Sequence, residues 1–294
     1  MSGILVLGGA GMLGHKMTQT LRRRFPDTAC TIKGSLNDSF YSDIDLFKQG
    51  PVVENVDAMD WPALEQMLRE QQPDVIVNCI GIIKQRDEAH SAIPSITINS
   101  LLPHKLAEAA AEWGGRVIHF STDCVFSGKK GCYTEDDPSD AEDLYGKSKY
   151  LGEVTAANAL TLRTSIIGRE LSNFKSLLEW FLSQNGKTVR GFTKVYYSGV
   201  TTNHLSEVVA DVIEKFPKLS GLYQVTSNTI SKHDLLCLIR DAYNMSVEIV
   251  PEDDTFSDRS MIGDKFNSAT GRVCPAWPEL VAQLANDPTP YRKP

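Results

Sequence analysis

Long apolar runs, closely spaced cysteines and an excess of positive charge are all missing from this 294-residue chain. Its six cysteines, Cys30, Cys79, Cys124, Cys132, Cys237 and Cys274, form no C-x-x-C pair and have no histidine in ligand spacing. They read as reduced thiols, with no disulfide framework, structural zinc or other metal site expected. The first aliphatic run, Ile4 to Leu7, is broken by Gly8 and has no positive charge before it. It reads as a buried strand and not as a signal peptide or membrane span, so a cytoplasmic protein without membrane contact is expected. A net charge of −7 disfavours nonspecific binding to nucleic acid, although it leaves room for a local basic pocket. Without a secretory signal, the glycosylation sequons at Asn37 and Asn244 read as chance matches.

What is present is an alternation of strand and helix patterns. Ile4–Leu7, Ala29–Lys33, Val75–Val77 and Val117–Phe120 have the short aliphatic character of buried strands. Between them lie helical patterns over Leu13–Arg24, Trp61–Gln71 and Leu101–Trp113; the second carries Leu64, Met67 and Leu68 on one face and stops before Pro73. Such alternation predicts an α/β fold, a doubly wound parallel sheet of Rossmann type with helices on both faces. Past residue 165 the pattern loosens. Helices are expected over Phe174–Gln184, Leu205–Phe216 and His233–Tyr243, separated by irregular segments such as "PEDDTFSDRS", and the proline-rich tail from Asn286 reads as an extended arm. The expected division is a first domain over 1–165 and a smaller lobe over 166–294, some segments of which return to the first domain; the motifs below make the first a dinucleotide-binding domain and the second mainly a substrate-binding one.

The first strand runs into "GGAGMLG", which spaces Gly8, Gly11 and Gly14 as G-x-x-G-x-x-G before a helix. A strand ending in a tight glycine turn lets backbone approach a pyrophosphate, while the helix N–H groups face its charge. The bland alternative is a glycine-rich turn with no ligand, and the strand–turn–helix context argues against it. An acidic residue for a ribose 2′-hydroxyl belongs at the end of the second strand, and here Lys33 holds that place. A cation suits a 2′-phosphate, which favours NADPH while leaving NADH possible; the alternative is a solvated surface lysine. His15 could add to this pocket, and Asp57 fits a carboxylate accepting from the adenine amino group.

In a doubly wound sheet, ligands gather beyond the carboxyl ends of the strands, where "STDCVFSG" leaves the strand "VIHF". A hydroxyl there can bond a substrate carbonyl, and Thr122 is the first choice; Ser121 and Asp123 are equally well read as strand-end caps. Downstream, Tyr145 and Lys149 are four apart, hence on one face of a helix. A tyrosine, with an ordinary pKa near ~10, becomes a usable acid–base beside an ammonium. Among the nine tyrosines, only Tyr145 has a lysine four residues later.

Taken together, the glycine loop, "STDCVFSG", "YGKSK" and the following Gly152-Glu153 resemble the extended short-chain dehydrogenases/reductases, in particular the dTDP-4-dehydrorhamnose reductase group. "DVIVNCIG", "ITINSLLPHKLAEAA" and "TLRTSIIG" follow the same plan, and fainter likeness continues through "GVTT" and "DRS". The resemblance implies NADPH-dependent reduction of the 4-keto group of a nucleotide-activated 6-deoxy sugar in polysaccharide biosynthesis, with Thr122, Tyr145 and Lys149 as the catalytic residues. It further implies cofactor contacts at Gly8, Gly11, Met12, Leu13, Gly14, Lys33, Asp57, Cys79, Gly81, Asn99, Tyr145 and Lys149. Substrate contacts are expected at Thr122, Asp123, Cys124, Asn173 and Arg259, the last toward a diphosphate, and more weakly at Lys194; Arg163 reads as structural. A homodimer is a family-level expectation. Two departures stand out: Cys124 replaces a tyrosine and Ser127 an acid, so the sugar or its orientation is open. Cys124 itself reads as a small packing residue. A sugar 4-epimerase of the same fold and a noncatalytic, dinucleotide-binding regulatory subunit are the alternatives. A dehydratase lacks the glutamate expected beside Asp123.

Overall fold

The computed structural model describes residues 3–83 and 91–291. It divides into two compact units. The first comprises residues 1–121, 143–162 and 206–222, and the second 122–142, 163–205 and 223–294. The chain therefore passes between units repeatedly, and no single boundary near residue 165 separates them.

The first unit is organised by a seven-stranded parallel sheet. Its strands are β1 (Ile4–Leu7), β2 (Ala29–Thr31), β3 (Val52–Val53), β4 (Val75–Asn78), β5 (Arg116–Thr122), β6 (Ala159–Thr164) and β7 (Gly221–Gln224). The spatial order is β7-β6-β5-β4-β1-β2-β3, and the chain reverses direction across the sheet between β1 and β4. In such a topology the crevice beyond the carboxyl ends of β1 and β4 is the natural ligand position. Ile4 to Leu7 pair residue by residue with Val75 to Asn78, and those in turn with Arg116 to His119. All four residues of β1 and of β4 are buried, as strands covered on both faces must be.

Helices α1 (Met12–Arg24), α2 (Trp61–Gln71), α3 (Leu102–Ala111) and α4 (Leu144–Leu151) accompany this sheet. The expected α2 bounds match the structure, because Asp60 caps Ala63 N at 3.2 Å and Gln72 ends the helix in a left-handed conformation. Its Leu64 and Leu68 pack with Leu5, Leu7, Ile76, Leu102, Leu106 and Val117 in one core. The helix expected over Leu101–Trp113 is preceded by a π-helical turn, Ile96–Leu101, that apolar spacing does not reveal.

The second unit has its own core, in which Leu178 and Phe181 meet Leu235, Leu236, Ile239, Trp277 and Leu280. The helix expected over Phe174–Gln184 is confined to Leu177–Leu182. Asn173 and Phe174 have φ of 69° and 50°, a left-handed turn that an α-helix cannot contain. "PEDDTFSDRS" is not irregular throughout: Glu248–Glu252 pairs in parallel with Thr188–Phe192, and Ser257–Asp258 pairs with Val195–Tyr196. The partners that create these strands lie some sixty residues away, beyond the reach of a local reading. No helix or strand runs through 286–291, and the last three residues of the expected arm lie outside the described residues. Among the described residues, no helix is long and apolar enough to cross a membrane.

Candidate functional site

The glycine turn is built by sterics. Gly8 has φ +81°, which ends β1 in a conformation few side chains tolerate. Gly11 N donates back to Gly8 O at 3.0 Å, and Gly8 N donates to Thr31 Oγ1 at 3.0 Å, tying the turn to β2. A Cβ on Gly14 would overlap Gly8 O, so only glycine lets α1 start this close to the strand end. Gly11 is the helix N-cap and supplies no side-chain acceptor, and the first turn has no acidic residue. The uncapped N–H groups and the positive end of the helix dipole thus fit a pyrophosphate. Gly11 is exposed and Met12 half-buried, whereas Leu13 and Gly14 are buried and act through packing. His15 is fully buried and its Nδ1 lies 2.9 Å from Gly11 O, so it braces the turn from inside.

Lys33 and Asp57, assigned above to opposite ends of the adenosine, form an ion pair at 3.1 Å, with side chains 75% and 44% exposed. Asp57 also accepts from Met59 N at 3.0 Å, and chiefly through that bond its carboxyl is held below the usual range. A 2′-phosphate at Lys33 would therefore share the ammonium with Asp57.

Beyond β4, Cys79 follows Asn78 and donates its N–H to Leu7 O at 3.1 Å, and burial pushes its thiol pKa up. Such a thiol is neutral and inert, so position 79 contributes backbone and shape. Gly81 lies beside Asn99: a Cβ there would stand 3.6 Å from Asn99 Oδ1. Asn99 is buried in the π-helical turn and spends its amide on three partners. Oδ1 accepts from Ile82 N at 2.9 Å, and Nδ2 donates to Ile82 O at 3.0 Å and Ser148 Oγ at 3.3 Å. It is a strut between the loop after β4 and helix α4.

Helix α4 carries Tyr145 and Lys149. Asp143 caps it, its carboxylate accepting from Gly146 N at 2.7 Å. Tyr145, half-buried, sits in the first turn, and Lys149, 6% exposed, follows one turn later. Lys149 Nζ donates to Phe120 O at 2.6 Å and lies 3.5 Å from His119 Nε2. Burial lowers its pKa from 10.5 to about 8, although the Glu153 carboxylate opposes the shift. Ser121 Oγ donates to Glu153 Oε1 at 2.6 Å, which makes Ser121 a brace between strand and helix end. His119 and its partner Asn78, 3.2 Å away, were not singled out from the sequence. The available signal was a histidine in the otherwise apolar strand "VIHF".

The second unit holds the remaining candidates. Thr122, the last residue of β5, donates its hydroxyl to Asp123 Oδ1 at 3.0 Å and accepts from Cys124 N at 3.2 Å. It caps the short turn that follows, so a substrate carbonyl would have to compete with Asp123 for its proton. Ser127 bonds Asp140 through both its N–H, at 2.7 Å, and its hydroxyl, at 2.6 Å, which gives this departure from the family pattern a structural role. Arg259 Nε donates to Phe126 O at 2.9 Å, so that end of the guanidinium is committed to the backbone. Arg163 is buried over the Phe126 ring, itself stacked on Tyr133 at 4.0 Å between centroids. Lys232 lies 3.8 Å from the centroid of the Tyr197 ring. Burial lowers the Lys232 pKa, while Asp123 and Cys124 pull the other way. Lys232 is a polar neighbour of the Thr122 turn that the sequence did not reveal. Asn173 is exposed and donates to its neighbour Ser172 Oγ at 3.2 Å, and Lys194 pairs with Asp253 at 3.4 Å; neither is brought to this cluster by a described contact. Among the described residues, no group of three or more His, Cys, Asp or Glu could hold a metal ion.

Known proteins resemble this chain in sequence and in fold. The model of the family described as "RmlD substrate binding domain" matches residues 1–282. The spore coat polysaccharide biosynthesis protein SpsK of Bacillus subtilis is 27% identical over 237 residues, 78% of this chain and 75% of that protein. The mouse methionine adenosyltransferase 2 subunit beta is 25% identical over 266 residues, 82% of this chain and 72% of that one. Among solved structures, a hypothetical dTDP-4-dehydrorhamnose reductase from Sulfolobus tokodaii superposes with TM-score 0.74 at 25% identity, covering 90% of this chain and 93% of that chain. The dTDP-4-dehydrorhamnose reductase of Bacillus anthracis, solved with NADP, shares the fold with TM-score 0.77 at 17% identity, covering 96% and 98%. The chain thus belongs to the RmlD substrate binding domain family, within the extended short-chain dehydrogenases/reductases.

Proposed function

We propose that this NAD(P)-dependent oxidoreductase reduces the 4-keto group of a nucleotide-activated 6-deoxy sugar for polysaccharide biosynthesis, with NADPH preferred. The observation that carries the reading is the buried Lys149 ammonium one helical turn from Tyr145. A nicotinamide dinucleotide is the cofactor, and when bound it supplies the hydride that reaches the carbonyl carbon. Tyr145 donates the proton that the carbonyl oxygen gains, so hydride and proton together convert ketone to alcohol. The Lys149 ammonium stabilises the resulting phenolate, which brings the tyrosine within range of work near neutral pH. Phe120 O accepts from that ammonium, and the Glu153 carboxylate favours its charged form. Thr122 is assigned the substrate carbonyl by the family pattern, at the cost of its bond to Asp123. The NADPH preference rests on Lys33 standing where an acid would bind a ribose 2′-hydroxyl.

A second reading, a dinucleotide-binding subunit of another enzyme, is favoured by the relatives named as a subunit of methionine adenosyltransferase 2. One assay separates the two. Loss of nicotinamide absorbance is followed with NADPH and dTDP-linked 4-keto-6-deoxy sugars, for the wild type and for Tyr145→Phe. The reductase reading expects turnover that falls at least ~100-fold in the variant, the scale of a lost general acid. Cofactor binding without turnover of any keto sugar sinks it and leaves the subunit.

A further inference from the structure

We propose that His119 is a positioning residue for the Tyr145–Lys149 pair, held by Asn78 as the neutral Nε2–H form, so that an N–H faces the Lys149 ammonium where a lone pair could have been. The inference rests on the reading of Tyr145 and Lys149 as the working pair.

The argument follows donors and acceptors through buried groups. Asn78 Oδ1 accepts from the backbone N–H of Ile80 at 3.1 Å. A backbone N–H can only donate, so the amide oxygen is held on that side. The amide nitrogen is then left 3.2 Å from His119 Nδ1. An amide NH2 also only donates, hence Nδ1 must be unprotonated. A neutral imidazole carries one proton, which is therefore on Nε2, and Nε2 lies 3.5 Å from Lys149 Nζ. Full protonation of the ring is disfavoured. His119 is 1% exposed, and burial, followed by the charges of Lys149 and His104, holds its pKa well below the ordinary value.

Two donors thus face each other across Lys149 and His119. The ammonium finds no acceptor on a ring in this form, and its bond goes to Phe120 O at 2.6 Å. The contact disfavours the charged lysine, so His119 loosens the hold of Lys149 on its proton. Among the described residues, Glu153, two positions past the end of α4, is the charge that acts on Lys149, and Tyr145 lies one helical turn before it. His104, on α3, lies 2.8 Å from Leu151 O through its Nε2, and its charge adds to that of Lys149 in lowering the His119 pKa. Glu153 favours the ammonium and His119 opposes it. A space-filling histidine would have no stake in its tautomer.

The test reads the tautomer and the lysine separately from turnover. Long-range proton–nitrogen NMR of protein labelled at histidine reports which ring nitrogen of His119 is protonated, with assignment by His119→Gln. Lysine labelled at Cε and Nζ reports the titration of Lys149, assigned by its loss in Lys149→Arg. The wild type is expected to show the Nε2–H form. In Asn78→Asp one carboxylate oxygen still accepts from Ile80 N–H while the other draws the ring proton to Nδ1, leaving a lone pair toward Lys149. The Lys149 midpoint should then rise by about one pH unit, and the alkaline limb of the rate profile with it. Asn78→Leu adds no charge and frees Nδ1, so it should switch the tautomer and move Lys149 upward by less. An Nδ1–H ring in the wild type overturns the proposal. So does a rise in the Asp variant without a change of tautomer, which is a plain charge effect, or a changed tautomer with Lys149 unmoved. If Asn78→Asp fails to fold, the wild-type tautomer and the Leu variant still decide. If no keto sugar oxidises NADPH, the functional reading falls and the NMR outcomes stand on their own.

Discussion

Replacing Lys149 by methionine should change how stability depends on pH while removing the chemistry of the pair. The buried ammonium has its pKa lowered from 10.5 to about 8. A shift of that size corresponds to about 3 kcal/mol between the two protonation states. The sign follows from proton counts. Between pH 8 and 10.5 the unfolded chain holds the Lys149 proton and the folded chain has lost it, so the stability of the wild type rises with pH through this window. Below pH 8 both states hold the proton and the full penalty is present. Methionine fills a similar volume and carries no such penalty, although the bond to Phe120 O, worth about 1.5–3 kcal/mol for a charged donor, goes with the lysine. At pH 7 the net change in stability is therefore small, but the difference between the two proteins must depend on pH. The assay is urea unfolding of wild type and Lys149→Met at several pH values from 7 to 10.5, taking the difference so that other titrations cancel. The wild type should gain about 3 kcal/mol on the variant across that range, with a slope of at most about 1.4 kcal/mol per pH unit. A difference that stays flat, or that falls with pH, would refute the account of Lys149 as a desolvated cation.

Other outcomes follow from the cofactor half of the first unit. Gly14→Ala should weaken dinucleotide binding by at least tenfold and cost about 1–3 kcal/mol of stability, since its Cβ would overlap Gly8 O; fluorescence titration with NADPH and a thermal melt check both. Asp57→Asn should release Lys33 from its ion pair and raise the ratio of NADPH to NADH efficiency, whereas Lys33→Ala should lower it. Unchanged ratios in both variants would remove Lys33 from the 2′-phosphate. The pair is exposed, so neither substitution should change stability by more than about 1 kcal/mol.

Much of the fold was legible because its causes are local. Ile4–Leu7 ahead of a glycine turn, Trp61–Gln71 between Asp60 and Pro73, and the Tyr145–Lys149 spacing each require only neighbours in the chain, and the structure places a strand or helix at each. The alternation of such elements determined a doubly wound sheet, since short parallel strands need crossovers and helices to cover both faces. What distant partners decide was not legible. Glu248–Glu252 is a strand because Thr188–Phe192 lies beside it, and Asn99 is a strut because Ile82 and Ser148 meet around it. The charge state of Lys149 was hidden for the same reason. The sequence by itself determined that a lysine follows Tyr145 on one helical face, because helical periodicity is a property of the backbone. Only the tertiary structure decided that this lysine is buried against Phe120 and His119, because desolvation and the direction of a histidine proton depend on which groups the fold brings within hydrogen-bond reach.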